Sequence, residues 1–392
     1  MIDRSVFTLF CGAGAAAAVL ATAVFAAGQN LPPVSLKPRA ANVSLSNEVQ
    51  HAINNGWAWL EKHQDTNGFW STVDHPAITA LALTSYRLQS GKRDPQADPP
   101  GVTKGYAYLM SCVQPDGGIY RKDLPSYNTS ISLVALVLAG RTEYQPAILR
   151  ARRFIIGLQA ESGDNALDGG IGYGKSDKKP DLSNTMDALE ALYISRSSLK
   201  EQGALAEGDL NWAAAIHFIQ SCQNLPGTNT EKWASDDPQN KGGFIYAPGV
   251  SKAGETNLPS GRIALRSYGS MSYAGLLSYI YADLKPGDPR VTAVMDWLRA
   301  NYTLDENPAM GAQGLFYYYN TMAKALTLYG AQTLAVNGGQ NVDWREQLAL
   351  KLINLQHTDG SWANENGRFF EKDPALVTSY ALISLEMIEP KL

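Results

Sequence analysis

One segment, running from a glutamine to an aromatic residue, returns along this chain and limits what it can fold into. It reads Gln64-Asp65-Thr66-Asn67-Gly68-Phe69-Trp70, then Gln114-Pro115-Asp116-Gly117-Gly118-Ile119-Tyr120, then Gln356-His357-Thr358-Asp359-Gly360-Ser361-Trp362, all at one spacing. Gln159 and Gln223 meet the same partners after insertions, at Gly169-Gly170-Ile171 and Gly242-Gly243-Phe244. A degenerate copy without the glutamine runs from Trp297 through Asn301-Tyr302 to Gly314-Leu315-Phe316-Tyr317. Self-similarity of this kind means an array whose units bury their apolar faces only against their neighbours.

Each segment is flanked by helical patterns. Before the first copy, Val49, Ile53, Trp57 and Leu60 make one apolar stripe at helical spacing. After each copy comes a helix of small residues. Thr79-Ala80-Leu81-Ala82-Leu83, Thr129-Ser130-Ile131-Ser132-Leu133, Thr185-Met186-Asp187-Ala188-Leu189 and Thr378-Ser379-Tyr380-Ala381-Leu382 align, with Ser272 to Leu276 and the shifted Asn320 to Leu326 completing the set. Small side chains permit the close approach an inner ring needs, and the leading Thr, Ser and Asn suit N-caps. Helix pairs without a convincing strand run predict an all-α fold. The insertions Arg93 to Gly101, Asn224 to Lys241 and Ala247 to Arg266 are expected to gather on one end as a rim or lid.

A net charge of −4 and no Lys/Arg-rich run argue against nucleic acid as a partner. Residues 1–27 read as a secretory signal: Arg4, an apolar run from Val6 to Phe25, and small residues at the expected cleavage site. Residues 28–45 read as a proline-containing tether, and 46–392 as the folded domain. The expected location is therefore outside the cytoplasm, periplasmic or secreted, with an N-terminal anchor as the alternative. No later apolar run is long enough to span a bilayer. Three cysteines, with Cys11 in the signal, make no disulfide framework, and Cys112 and Cys222 are expected to pack in the interior.

These repeats resemble those of the prenyltransferase and squalene-oxidase family, which includes the class II terpene cyclases and the β subunits of protein prenyltransferases. The Gln-x3-Gly-x-Trp segments look like the QW motifs of the cyclases. The resemblance spans about residues 46–389 and implies an α6–α6 toroid of six helical-pair repeats, with inner helices around a lumen. The stretches Ser267 to Gly275 and Tyr317 to Leu326 are similar to those of exported bacterial members. Cyclases of this class protonate an alkene with an Asp-x-Asp-Asp-Thr motif. Laid on it, this chain reads Asp181-Leu182-Ser183-Asn184-Thr185, so Ser183 stands where the acid belongs. A hydroxyl cannot protonate a carbon–carbon double bond. The zinc ligands of the prenyltransferases are also replaced, by Ser270-Met271-Ser272-Tyr273 and Asn320-Thr321. Neither Ser nor Asn holds Zn²⁺ well, so neither a metal nor another cofactor is expected.

What remains is a pair of acids at repeat positions that are apolar in the sister units. Asp187 takes the place of Leu81, Ile131 and Tyr380, and Glu190 that of Val134 and Ile383. Acids so placed face either a cavity or a polar partner, and burial raises their pKa. Asp187 is the leading candidate for an acid or base, with Asp181 of the motif beside it. Tyr268, Tyr273, Tyr279, Tyr281, Tyr317, Tyr318 and Tyr319 form an aromatic-rich half of the chain. Among these, Tyr268, Tyr273 and Tyr317 are expected to contact a ligand, together with Asn184 and Asn320. Three functions fit: a lumen for an apolar, isoprenoid-like molecule, a carbohydrate-active enzyme, or an interaction scaffold. Within the first, a single desolvated acid among aromatics would favour chemistry on the molecule, and an all-apolar lumen its carriage. Two facing carboxylates, or Arg262 or Arg266 near Asp187, would favour the second.

Overall fold

The computed structural model describes residues 42–392, apart from 90–93, 95–96, 162, 164, 175–178, 201–208, 260 and 337–338, and for 197–200 the backbone alone. The signal expected at 1–27 lies outside the described residues.

Six helices form a closed inner ring: α2 (Pro76–Leu88), α4 (Pro125–Leu138), α6 (Leu182–Lys200), α8 (Gly269–Tyr281), α10 (Leu315–Tyr329) and α12 (Pro374–Ile388). Each packs on the next, and α12 returns to α2. Outside them lie α1 (Val43–Lys62), α3 (Pro100–Ser111), α5 (Gln145–Ile156), α7 (Trp212–Ser221), α9 (Pro289–Ala300) and α11 (Trp344–Leu355). This is the α6–α6 toroid. The ring closes through the two ends of the chain, where α1 packs against both α11 and α12. The first outer helix begins at Val43, just inside the stretch expected as tether, because Asn42 caps it by accepting from Leu45 N at 3.2 Å.

Composition separates the two shells. The inner helices are buried around nearly their whole circumference, as in α12, where all positions from Ala375 to Glu386 are buried. The outer helices bury only one stripe, and in α1 it includes Val49, Ile53, Trp57 and Leu60.

The repeat segments hold the shells together through their polar groups. Gln64 Nε2 donates to Gly68 O in its own turn and to Gly101 O at the start of α3, at 2.9 and 2.8 Å. Gln159 and Gln223 reach the starts of α7 and α9 in the same way, through Asn211 O and Arg290 O. Gln356 reaches Ala52 O of α1 and so joins the last unit to the first. Gln114 departs from the scheme and donates to Cys112 O and Tyr120 O. In the five copies with the glutamine, a glycine of the turn comes so close to the next outer helix that no side chain fits. A Cβ on Gly169 would lie 2.0 Å from Ala214 O, and its φ of +86° is disfavoured for other residues.

The leading Thr and Ser of the inner helices are not N-caps. They sit inside the first turns and accept from the turn's backbone: Trp70 N on Thr79 Oγ1, Ile171 N on Thr185 Oγ1 and Phe244 N on Ser272 Oγ. The cap positions fall to His75, Leu124, Tyr268, Gly314 and Asp373. Two three-residue hairpins were not expected, β1 (Glu255–Asn257) with β2 (Ile263–Leu265) and β3 (Leu334–Val336) with β4 (Gln340–Val342).

The insertions do not all share one end. Those at 224–241 and 247–266 pack together near the start of α8, with Asn224 Nδ2 donating to Leu265 O and Ser267 Oγ. Asp98 of the third instead pairs with Arg87 and Arg141 at the C-terminal ends of α2 and α4, which draws that insertion to the opposite end. Cys112 and Cys222 are buried free thiols. Among the described residues, no helix is long and apolar enough to cross a membrane.

Candidate functional site

A cavity of about 310 Å³ opens at the end of the ring where the inner helices begin. Every inner helix contributes from its first turns: Ile78, Tyr127, Ser183 with Asn184 and Asp187, Ser270 with Met271, Tyr317, and Leu376 with Tyr380. Most of these lie at set offsets from the repeat Thr or Ser, two and one before it or two after, which is one face of a helix. Connecting segments complete the wall with Tyr173, Tyr246, Lys252, Phe369 and Phe370.

The start of α6 sorts its two aspartates into different tasks. Asp181, 2% exposed, accepts from Ser183 Oγ at 2.5 Å, Asn184 N at 3.0 Å and Asn184 Nδ2 at 2.7 Å. It serves as the cap of α6 and stands behind the lining rather than in it. Burial raises its pKa, while those hydrogen bonds and Lys252 pull it down. Asp187 lies on the cavity wall at 6% exposure, and among the described residues its carboxyl has no hydrogen-bond partner. Burial pushes its pKa well above the ordinary carboxylate range. Glu190 and Asp181 add to that effect, and Lys324 opposes it. Glu190 has a partner of its own, with Lys324 Nζ donating to both carboxylate oxygens at 2.8 and 2.9 Å. Of the two acids at apolar repeat positions, one is paired and one faces the cavity.

Three tyrosines surround Asp187. The charge of Asp187 raises the pKa values of Tyr127, Tyr317 and Tyr380, in each case after the larger effect of burial. Tyr127 and Tyr380 approach hydroxyl to hydroxyl at 3.5 Å. Nearer the mouth, Lys252 Nζ sits 3.4 Å from the centre of the Tyr246 ring and 5.2 Å from that of Phe369. Desolvation lowers the Lys252 pKa, while Asp181 raises it. Phe369 and Phe370 are both at positive φ, 60° and 68°, and exposed, the latter at 58%. Buried Glu371 anchors them by accepting from Tyr317 N at 2.8 Å and Asn364 Nδ2 at 2.6 Å. In doing so it caps α10, whose own cap position is Gly314.

The expected site residues divide accordingly. Asp187, Asn184, Tyr268 and Tyr317 line the cavity. Tyr273 packs on Tyr318, ring centres 5.6 Å apart, in the wall behind. Asn320 lies one turn past Tyr317 and donates to Tyr380 O at 3.4 Å, also behind the lining. Tyr279, Tyr318 and Tyr319 are core residues whose hydroxyls donate to Gln223 Oε1, Thr303 O and Leu304 O. Arg262 and Arg266 stay in their insertion, donating to Ala234 O and Ala253 O. The cation in the wall is Lys252. Among the described residues no three His, Cys, Asp or Glu side chains group as metal ligands.

The molecule is thus an α/α toroid with an aromatic cavity that holds one unpaired acid. No family model and no curated protein matches its sequence. Among solved structures it is similar to type II terpene cyclase MstE from Scytonema in complex with geranylgeranyl dihydroxybenzoate. The TM-score is 0.54 at 11% identity, over 90% of this chain and 100% of that one. It is also similar to GH76 α-mannanase BT2949 of Bacteroides thetaiotaomicron, with a TM-score of 0.53 at 10% identity over 88% and 98% of the two chains. At such identities the likeness establishes the toroid, which serves cyclases and glycosidases alike.

Proposed function

We propose that this protein is an exported, cyclase-like member of the toroid class that binds an apolar, isoprenoid-like molecule in its cavity. The observation that carries this reading is Asp187, a lone buried acid with no partner, among Tyr127, Tyr317 and Tyr380. The rest of the wall is mainly aromatic and aliphatic, with Ile78, Leu124, Met271 and Leu376 adding apolar area beside the polar His75, Ser183, Asn184, Lys252 and Ser270. Asp187 lies one helical turn beyond Ser183, on the same face of α6, and both line the cavity. The acid that the cyclase motif lacks thus has a counterpart one turn deeper. Burial raises its pKa well above the ordinary carboxylate range, which favours the protonated form able to donate a proton or a hydrogen bond.

The glycosidase reading has one observation in its favour, since tyrosine faces and hydroxyls together suit the stacking and binding of sugar rings. It is weakened because Asp187 is the one carboxylate in the lining among the described residues, with Asp181 engaged in capping.

Native mass spectrometry of the purified chain tests the proposal, with Tyr268→Ala for comparison and circular dichroism to check that the variant is folded. The expected outcome is a bound isoprenoid or lipid that is depleted in the variant. A protein that stays empty in lipid-supplemented extract and instead binds mannan oligosaccharides would sink it.

A further inference from the structure

The polar atoms that the cavity leaves unmatched specify the ligand further. Asn184 is 2% exposed and lines the cavity. Its Nδ2 is committed to Asp181 Oδ2 at 2.7 Å, which fixes the amide orientation, because a carboxylate oxygen can only accept. Asn184 Oδ1 therefore faces away from Asp181, and among the described residues nothing donates to it. The buried Tyr317 hydroxyl, also in the lining, is likewise without a partner. Asp187, one turn along the same face from Asn184, is the third such group. Buried polar atoms are rarely left unpaired, and three of them lining one cavity, from α6 and α10, are a pattern to be matched from inside.

We propose that the ligand carries a free hydroxyl group, which donates its hydrogen to Asn184 Oδ1 and accepts from the Asp187 carboxyl or the Tyr317 hydroxyl. This rests on the isoprenoid reading above and narrows it to an alcohol. An amide oxygen only accepts, so a hydrocarbon, ether or ketone leaves it unmatched. A cationic donor is disfavoured by Lys252 in the wall and by Lys324, whose charge is felt at Asp187. An alcohol supplies donor and acceptor on one oxygen, and its chain finds the apolar wall of Ile78, Met271 and Leu376.

The test titrates the purified protein with farnesol, farnesyl methyl ether and farnesene. Farnesol is expected to bind at least ~10-fold more tightly than either analogue, because the analogues leave buried polar groups unpaired. Tyr317→Phe, which removes one oxygen and keeps the ring, is expected to shrink that preference by about threefold or more. Asn184→Leu is expected to remove most of it while farnesene still binds. Equal binding of the three compounds overturns the inference and leaves the isoprenoid reading standing. If none of them binds, both fall.

Discussion

The turns between the shells and the first turns of the inner helices are built from the same repeat, yet they treat their polar groups in opposite ways. In the turns nearly every donor and acceptor is matched: the glutamine amide, the glycine carbonyl, the threonine hydroxyl and the indole N–H. Trp70 and Trp362, for example, donate from Nε1 to Leu60 O and Leu352 O, both at 2.8 Å. Less than two turns further along the chain, Asn184, Asp187 and Tyr317 present polar atoms to the cavity with nothing to meet them. Unmatched buried groups destabilise a fold, and where they line a cavity a ligand can match them, so there stability gives way to recognition. Substitutions in the turns should accordingly act on stability, and those in the cavity on binding.

The largest effect is expected at Gly169. A methyl group there would lie 2.0 Å from Ala214 O and 2.1 Å from Ala214 C, both backbone atoms that cannot turn aside. The clash adds to the strain of φ +86°, so Gly169→Ala should cost about 4 kcal/mol or more in urea unfolding. A variant as stable as the parent would mean that α7 can move outward freely, and the tight coupling of turn to shell would be wrong.

A smaller loss is expected from Gln223→Ala. This side chain donates to Gly242 O and Arg290 O and accepts from Tyr279 Oη at 2.8 Å, the first and last in buried surroundings. Truncation strands three polar groups and should cost about 3 kcal/mol in the same measurement, with ligand affinity unchanged. A loss of affinity without a loss of stability would blur the division between the two regions.

That division also accounts for what could be read from sequence. The ring was legible because the turns obey strict chemistry, with Gly where no Cβ fits and Gln where two carbonyls must be joined, and such demands leave residue identities at fixed spacing. Asp187 was legible as a deviation, an acid where Leu81 and Ile131 stand in sister units. Tyr380 occupies that same repeat position and Tyr127 lies two before its repeat threonine, so both could have been found by following the lumen-facing offsets around the ring. The tyrosine count pointed instead to Tyr273 and its neighbours, which are core because aromatic density in a sequence does not distinguish the two faces of an inner helix. Lys252, Phe369 and Phe370 left no repeat signal, since they reach the mouth from segments outside the repeat. Glu371 is similar: its capping of α10 depends on a fold that brings positions 54 residues apart into contact.

The sharpest comparison between the regions comes from Asp187→Asn, which should improve stability where the turn variants damage it. The folded pKa of Asp187 is raised well above its ordinary 3.8, and burial is the main cause. The unfolded chain therefore releases this proton at a lower pH than the folded chain. The stability linked to the proton is fully present below about pH 3.8 and is lost as pH rises through the folded value. Asparagine has no proton to lose, so the variant should gain steadily on the wild type as pH rises from acid towards neutral. Urea titrations at several pH values would show the two curves diverging from acid to neutral. If the curves stay parallel, Asp187 is ionised in the folded protein, stabilised by Lys324 across Glu190, and its role as a proton-bearing acid must be given up.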